Sequence, residues 1–332
     1  MTRVEKLLLL LLPLPFGLGF LAPGPVTEPL ESETVFAFTD PEIVESSGLV
    51  ARGGLVVTVN DSGDGNRIFT VDPVTGGTVG TTRWQGDARD IEALAPAGAG
   101  RVYVGDIGDN MGSRERIQVA RVPAGLGERE VSAETYDLAY ADGPHDAEAL
   151  LVHPTTGRLY VVSKEFIGRI YAAPERLDPE GTGELTPVDE VLGIVTDGAF
   201  LPDGEHLVLR NYTQAAVYTW PELDRVALLD LPPQQQGEGL AVTEDGEILL
   251  SSEGQDAEVL RVELPADLRA ELDGSGAVDE ESGAPSPEAG SDGGESSPVE
   301  VAEERSWWPW ALVGVVGVGV VVTVLVRSLR PR

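Results

Sequence analysis

Between about residues 32 and 270, short stretches of alternating apolar and polar residues are separated by clusters of Gly, Asp, Pro and Thr. Alternation with a period of two is typical of a β-strand that buries one face, and such clusters are typical of turns. The pattern therefore predicts an all-β domain over 32–270. Helix is expected only as about one turn near Pro265 to Leu272.

One short pattern occurs five times in this region. It consists of an acid or serine, then alanine or glycine, then an apolar residue, followed by a turn and an alternating strand. Neighbouring copies start 41 (238 − 197) to 56 (148 − 92) residues apart. A repeat of about 40–50 residues is typical of β-propeller blades. The copies start at Ser47, Glu92, Glu148, Asp197 and Glu238.

The third copy shows the predicted blade most clearly. A propeller blade is a sheet of four strands. Four strand-like stretches follow one another in this copy, and each pair is separated by turn residues. These stretches are 148–153, 158–164, 168–174 and 186–194.

The fifth copy supplies only three strands, whereas the strand-like segment 33–39 lies ahead of the first copy and completes no unit there. We expect this segment to add the fourth strand to the fifth unit, because closing the ring removes an exposed sheet edge. The sequence thus predicts a β-propeller of five blades closed by an N-terminal strand. Six blades are the alternative if a degenerate copy lies in 122–145 or 174–195.

The first 25 residues have the pattern of a secretory signal peptide. Arg3 and Lys6 precede the apolar run 7–22, and small residues place the cleavage near 22–26. A basic start followed by a short apolar run is typical of such signals. An uncleaved anchor is the alternative.

The other end of the chain predicts a membrane anchor. Residues 307–326 are almost all apolar, and about 20 such residues are enough for a helix to cross a bilayer. Three arginines follow in 327–332, so the positive-inside rule places this tail in the cytoplasm and the β domain outside the cell. The segment 273–305 is rich in Gly, Ser, Pro and acids, which predicts a disordered stalk. We therefore expect a single-pass protein of the cell membrane.

The net charge of −33 narrows the range of partners. Nucleic acids and anionic membranes need a basic surface, so neither is expected to bind the β domain. Cations are the natural partners, although acidity also keeps an exported protein soluble. The chain has no cysteine, which excludes disulfides and thiolate metal sites.

Acidic residues recur where first strands of the predicted blades begin and where second strands end. In a propeller these positions meet at one end of the central channel, here named the mouth. Carboxylates that lie close together repel one another unless a cation lies between them. Oxygen ligands without cysteine favour calcium or magnesium over zinc, so calcium is the expected cofactor. The candidate ligands are Asp61, Asp90, Glu92, Asp106, Asp146, Glu148, Asp197, Glu238 and Glu253.

The alternative for these acids is a structural role, in which they cap turns and pair with arginines such as Arg67, Arg114 and Arg169. Two basic residues are expected at the mouth, Lys164 and Arg210. Lys164 is one of only two lysines in the chain, and lysine holds phosphate as a compact point charge. A lysine that stands at this position by chance, without a role in a site, is an equal alternative.

Several motifs together resemble a family of exported bacterial β-propellers that are described as WD-repeat-like or phytase-like. The resemblance implies a propeller fold and no assigned activity. A weaker similarity connects the chain with β-propeller phytases, in which acids at the mouth hold calcium ions that bind substrate phosphate. It implies Glu92, Glu148 and Glu238 as first calcium ligands, but this chain has few basic residues at its mouth. The motifs are ESSGLV (45–50), DIEALA (90–95), YVGDIGDN (103–110), DGPHDAEALLV (142–152) and QGEGLAV (236–242).

Two functions follow as hypotheses. The first is a monomeric, membrane-tethered module that binds an extracellular ligand or partner protein, with a divalent cation at the mouth. The second is a calcium-dependent hydrolase of phosphate or other esters, in which metal ions polarise the bond and activate water. Lys164 and Arg210 would then neutralise developing charge as catalytic residues. The absence of a nucleophile-elbow motif or a phosphate-binding loop favours the binding module.

Overall fold

The computed structural model describes residues 28–61, 63–98 and 100–274, and this part of the chain is all-β, as predicted. The expected signal peptide and membrane anchor, and almost all of the expected stalk, lie outside the described residues. The strands are β1 (Ser32–Ala37), β2 (Ser46–Arg52), β3 (Leu55–Asn60), β4 (Arg67–Val71), β5 (Thr78–Trp84), β6 (Ile91–Pro96), β7 (Arg101–Asp106), β8 (Ile117–Pro123), β9 (Gly127–Val131), β10 (Glu134–Tyr140), β11 (Ala147–Val152), β12 (Leu159–Ser163), β13 (Gly168–Ala172), β14 (Thr182–Val191), β15 (Asp197–Phe200), β16 (His206–Arg210), β17 (Gln214–Thr219), β18 (Arg225–Asp230), β19 (Gly237–Val242), β20 (Ile248–Ser252) and β21 (Glu258–Val262).

The helix α1 (Ala266–Gly274) lies where a single turn was expected, and it ends two residues inside the range predicted for the stalk. Within the three described ranges, no helix is long and apolar enough to cross a bilayer.

The strands form successive four-stranded antiparallel units. Unit one is β2-β3-β4-β5, unit two is β6-β7-β8-β10, unit three is β11 to β14, and unit four is β15 to β18. Unit five is β19-β20-β21 and is completed by β1, which pairs with β21 so that Ser32 lies opposite Val262. The pairing predicted for the segment 33–39 is therefore present.

The first strands of the units pack side by side in a closed order, from β2 to β6, β11, β15, β19 and back to β2. One apolar core cluster fills each junction between neighbouring units, including the junction between units five and one. Since each sheet buries both faces against its neighbours, apolar burial holds the units together without disulfides. The arrangement is propeller-like.

A sixth unit would have to lie in the stretch 122–145 or the stretch 174–195. They contain β9, β10 and β14, which are outer strands, and neither stretch forms a four-stranded unit of its own. β9 pairs in parallel with β5 of unit one, and the start of β14 pairs in parallel with β10 of unit two. These residues therefore tie neighbouring units together at their outer edges.

A register shift recurs near the start of the first strand in four of the five units. It lies opposite the end of the second strand in each case. Such a bulge bends the strand and redirects the side chain of the extra residue. Unit four, which starts at Asp197, has no such shift. The residues at the shifts are Ser47, Glu92, Glu148 and Glu238.

The later parts of the first strands line a cavity of about 480 Å³ at the other end of the ring. Its wall is largely apolar and includes Leu49, Leu94, Leu150 and Leu240. The acids at the register shifts precede these leucines in the same strands, so these acids lie toward the opposite end of the ring from the cavity.

Candidate cation site at the channel mouth

Three of the predicted metal ligands come together at the junction of units one and two. Asp61 follows the end of β3, Asp90 directly precedes β6, and Glu92 lies at the register shift of β6. One carboxylate oxygen from each residue lies within 4.8 Å of the other two. Three hard oxygen donors at this spacing are suited to a calcium or magnesium ion.

Glu92 is the buried member of this group, with 4% of its surface exposed. Burial raises the pKa of Glu92 to about 11, and repulsion from Glu148 and Asp61, a hydrogen bond with Asp61 and the charge of Asp90 add to the effect. The Ser47 hydroxyl lies 3.2 Å from Glu92 Oε2. In the absence of a cation Glu92 therefore holds a proton, which a divalent ion would have to displace.

Gly108, in the connection between β7 and β8, lies directly against these carboxylates. A β-carbon at this position would lie 2.5 Å from Asp90 Oδ2 and 2.9 Å from Glu92 Oε1. The Gly108 N–H also donates to the Asp90 carbonyl at 3.2 Å. The lack of a side chain at Gly108 therefore leaves the space that the two carboxylates occupy.

The other acids of the mouth surround a lysine. The Lys164 ammonium pairs with Glu148 Oε1 and lies 5.1 Å from the ring centroid of Tyr212. Burial alone would lower the pKa of Lys164, but Glu148, Tyr212 and Glu238 outweigh it and raise that pKa. Lys164 is therefore a permanent cation within the mouth.

Glu148 and Glu238 remain poorly neutralised in spite of this lysine. Burial raises the pKa of Glu148 to about 8, with Glu238 adding to the shift and Lys164 opposing it. Burial raises the pKa of Glu238 to about 7, again against the effect of Lys164. The Oε2 atoms of both residues are buried and have no hydrogen-bond partner among the described residues. Buried acceptors of this kind are costly unless a cation or water meets them.

Glu253 lies at the rim of the same group and is partly exposed. Burial raises its pKa, and repulsion from Asp61 and Glu45 adds to the shift. Its carboxylate accepts a hydrogen bond from the Gln236 side chain at 2.7 Å. Glu253 therefore adds negative charge near Asp61 but is itself held by an amide.

Asp106 has partners that give it a structural role. It forms a 2.8 Å ion pair with Arg114 and accepts the Asp90 N–H at 2.9 Å. Asp106 ends β7 opposite Ile91, as Asn60 ends β3 opposite Ser46, so the equivalent of Asp106 in unit one is Asn60 and not the candidate ligand Asp61.

Asp146 also forms hydrogen bonds with backbone N–H groups and does not join the carboxylate cluster. Its Oδ1 atom accepts the Asp109 N–H at 2.7 Å, and its carbonyl accepts the Lys164 N–H at 2.9 Å. Asp146 thereby connects the loops of units two and three.

Asp197 and Arg210 are fully buried between units four and five. The Asp197 carboxylate accepts the N–H groups of Gly198 at 2.7 Å and Leu240 at 2.6 Å, and burial raises its pKa well above the usual range. Burial lowers the pKa of Arg210 to about 10. Its Nη1 atom donates to the carbonyls of Gly239 at 3.1 Å and Ser251 at 3.3 Å. These two residues connect the units and do not reach solvent.

Sequence reasoning missed Gly108 and Tyr212 as parts of the mouth. Gly108 lies in the YVGDIGDN motif (103–110), where a glycine carries no chemical group that would mark it as part of a site. Tyr212 follows the second strand of unit four by two positions, so its distance from Lys164 in the chain concealed their contact.

No protein-family model and no curated protein matches the chain. Among solved structures, the crystal structure of glutaminyl cyclase from Myxococcus xanthus is similar, with 13% sequence identity and a TM-score of 0.45. The match covers 71% of this chain and 100% of that one. Similarity at this level carries no information about what the present chain binds or transforms.

Proposed function

We propose that the described domain is a five-bladed β-propeller whose mouth binds a divalent cation and, with it, an extracellular ligand or partner protein. The blade count rests on the five four-stranded units and on the closed order of their first strands. The signal peptide, stalk and anchor expected from the sequence would place this domain outside the cell, tethered to the membrane by one segment.

The observation that carries the proposal is the meeting of Asp61, Asp90 and Glu92 within 4.8 Å. Two of these carboxylates are partly buried and the third is buried, so water screens their repulsion only in part. A cation would displace the proton of Glu92 and offset the negative charge that the three carboxylates then carry. Calcium is the preferred ion, because all the available donors are oxygen atoms and calcium accepts irregular oxygen shells.

The contacts of the two basic residues favour binding over hydrolysis. Lys164 is paired with Glu148, and Arg210 is enclosed by backbone carbonyls of unit five. A residue that stabilises developing charge on a substrate has to contact that substrate. The phosphoesterase hypothesis therefore has no supporting contact from Arg210, and Lys164 would first have to leave its carboxylate.

Calorimetric titration of calcium into the full chain, stripped of metal with a chelator, tests the cation site. We expect about one ion per chain to bind with roughly micromolar affinity, as in other oxygen-lined sites of intermediate affinity. Glu92→Gln and Asp61→Asn should each weaken binding at least about tenfold, because each removes a charged ligand. Calcium should also raise the melting temperature of the wild type.

Glu184→Gln is the matched control, since Glu184 is an exposed acid on β14 and the same atoms change. Its calcium affinity should equal that of the wild type. Equal weakening in all three variants would indicate a general effect of net charge. Absence of both heat and thermal stabilisation in the wild type would refute the cation site.

A further inference from the structure

We propose that Lys164 is a built-in counter-ion that occupies a second cation position in the mouth, between Glu148 and Glu238, and so limits the protein to one divalent ion. This inference rests on the proposed function, because it concerns how many ions the same mouth accepts.

Equivalent positions around the ring carry similar residues in some units and different residues in others. Glu92, Glu148 and Glu238 all lie at register shifts of first strands, so three units present a glutamate in the same way. Lys164 directly follows the second strand of unit three, as Asp61 follows that of unit one. A cationic side chain thus stands in unit three where unit one supplies a metal ligand.

The two glutamates near Lys164 are buried and only partly hydrogen-bonded. Glu148 and Glu238 are only 5% and 4% exposed, and each has one carboxylate oxygen that is buried without a hydrogen-bond partner among the described residues. A single ammonium contacts one oxygen of Glu148 and leaves both of these acceptors unused. The pair of carboxylates therefore has donor atoms and charge for an ion of higher valence.

The Lys164 ammonium and a metal ion would compete for the same two carboxylates. The Lys164 ammonium contacts Glu148, and its charge also counters the burial that raises the pKa of Glu238, so a metal ion bound to these two carboxylates would have to compete with it. Without Lys164, Glu148 would lose its paired cation, and among the described residues Glu238 would be left with only the charge of Arg210, whose guanidinium is held by backbone carbonyls. Two buried carboxylates in this state are unfavourable unless another cation enters. Removal of the lysine should consequently create an ion site.

The consequence concerns the chemistry that the mouth can support. Two metal ions placed close together form a clamp that stabilises both the attacking and the leaving oxygen in phosphoryl transfer. With one position held by Lys164, such a pair of ions cannot assemble. The lysine therefore directs the mouth toward ion-dependent binding.

The test compares Lys164→Met, which keeps the length of the side chain and removes its charge, with Lys164→Arg, which keeps the charge. Bound calcium is counted by equilibrium dialysis of the metal-stripped full chain followed by elemental analysis. We expect about one ion per chain for the wild type and for Lys164→Arg, and about two for Lys164→Met. The double variant Lys164→Met, Glu238→Gln should return to about one, since it lacks a ligand of the new site.

One ion in both the wild type and Lys164→Met would overturn this inference and leave the proposed function intact. No ion in the wild type but one in Lys164→Met would refute the proposed function and support the role of Lys164. No ion in any variant would refute both. Circular dichroism checks folding, and Lys164→Gln replaces Lys164→Met in the same count if the methionine variant does not fold.

Discussion

The mouth cluster of Asp61, Asp90 and Glu92 and the buried pair of Asp197 and Arg210 derive from the same places in the repeat. Both groups lie where first strands begin or second strands end. In the mouth cluster carboxylates meet carboxylates, whereas Asp197 and Arg210 are surrounded by backbone groups of the next unit. The difference shows that the position of a charged residue in the repeat determines the region in which its side chain lies. The groups that the side chain contacts in that region determine its role.

Strand register explains how the two outcomes separate. Glu92 lies at a register shift, which redirects its side chain toward other carboxylates. The first strand of unit four pairs with its neighbour without a shift, and the Asp197 side chain accepts the N–H of Leu240 in unit five. The candidate ion ligand Glu92 thus lies where the first strand has one extra residue, whereas the structural acceptor Asp197 lies in a first strand without one.

The largest effect is expected from Arg210→Met. The change leaves Asp197 without its nearby cation and removes the donors to the Gly239 and Ser251 carbonyls. Leaving two buried carbonyls without a donor costs about 1–3 kcal/mol for each, and we expect the melting temperature to fall by roughly 4–24 °C at 2–4 °C per kcal/mol. Thermal melts followed by circular dichroism measure this.

Arg225→Met is the control for Arg210→Met, because Arg225 is exposed on β18 and should change stability by less than about 0.5 kcal/mol. If both variants melt at the wild-type temperature, the buried pair does not hold units four and five together.

Glu92→Gln is expected to increase stability in the absence of metal, whereas Arg210→Met decreases it. The pKa of Glu92 is about 11 in the folded protein, against 4.5 for an unperturbed glutamate, so its stabilising contribution is complete below pH 4.5 and is lost as pH rises toward 11. A glutamine side chain does not titrate, so the variant should be more stable than the wild type at pH 8, and the difference should grow by up to about 1.4 kcal/mol from pH 8 to pH 9. Melting curves at pH 5, 7 and 9 test this.

Added calcium should reverse that order, because only the wild type retains all three carboxylates of the mouth cluster. Parallel pH profiles for the two proteins without metal would show that Glu92 titrates normally, and the contrast with the buried pair would then disappear.

The smallest effect on stability is expected for Gly108→Ala. The added methyl group would lie 2.5 Å from Asp90 Oδ2, so the carboxylates must move apart while the backbone keeps its conformation. We expect a loss of at most about 1 kcal/mol in stability, together with calcium binding weakened by about tenfold. Gly77→Ala is the control, since its β-carbon would come no closer than 3.4 Å to a neighbouring atom. Equal calcium affinity in both variants would mean that Gly108 does not shape the site.

Much of the fold could be predicted from the sequence, because strand alternation and turn residues are local signals. The four strands of unit three lie close to their predicted ranges, although β14 begins at Thr182 rather than 186. The parallel pairing of β9 with β5 could not be predicted, since it depends on contacts between outer strands of different units.

The candidate site could be predicted only as a set of acids. The sequence predicted Asp61, Asp90 and Glu92 at the mouth but treated Asp106 as equivalent to them, and it offered a pair with Arg114 only as a general alternative for all the acids. The burial of Arg210 was also not predictable, since its acceptors are carbonyls of a different unit. For Arg210, partners that are distant in the chain decide its structural role.

The sheet of unit five has a consequence for biosynthesis. Its strands β1 and β21 come from opposite ends of the domain, and the paired side chains of Glu33 and Arg261 are 228 positions apart. During translation the ring stays open until Arg261 has been added, and β1 presents an unpaired edge to its surroundings throughout that time. Such edges are templates for association with other chains. A chain halted before Arg261 should consequently be prone to aggregate, however well its first four units are packed.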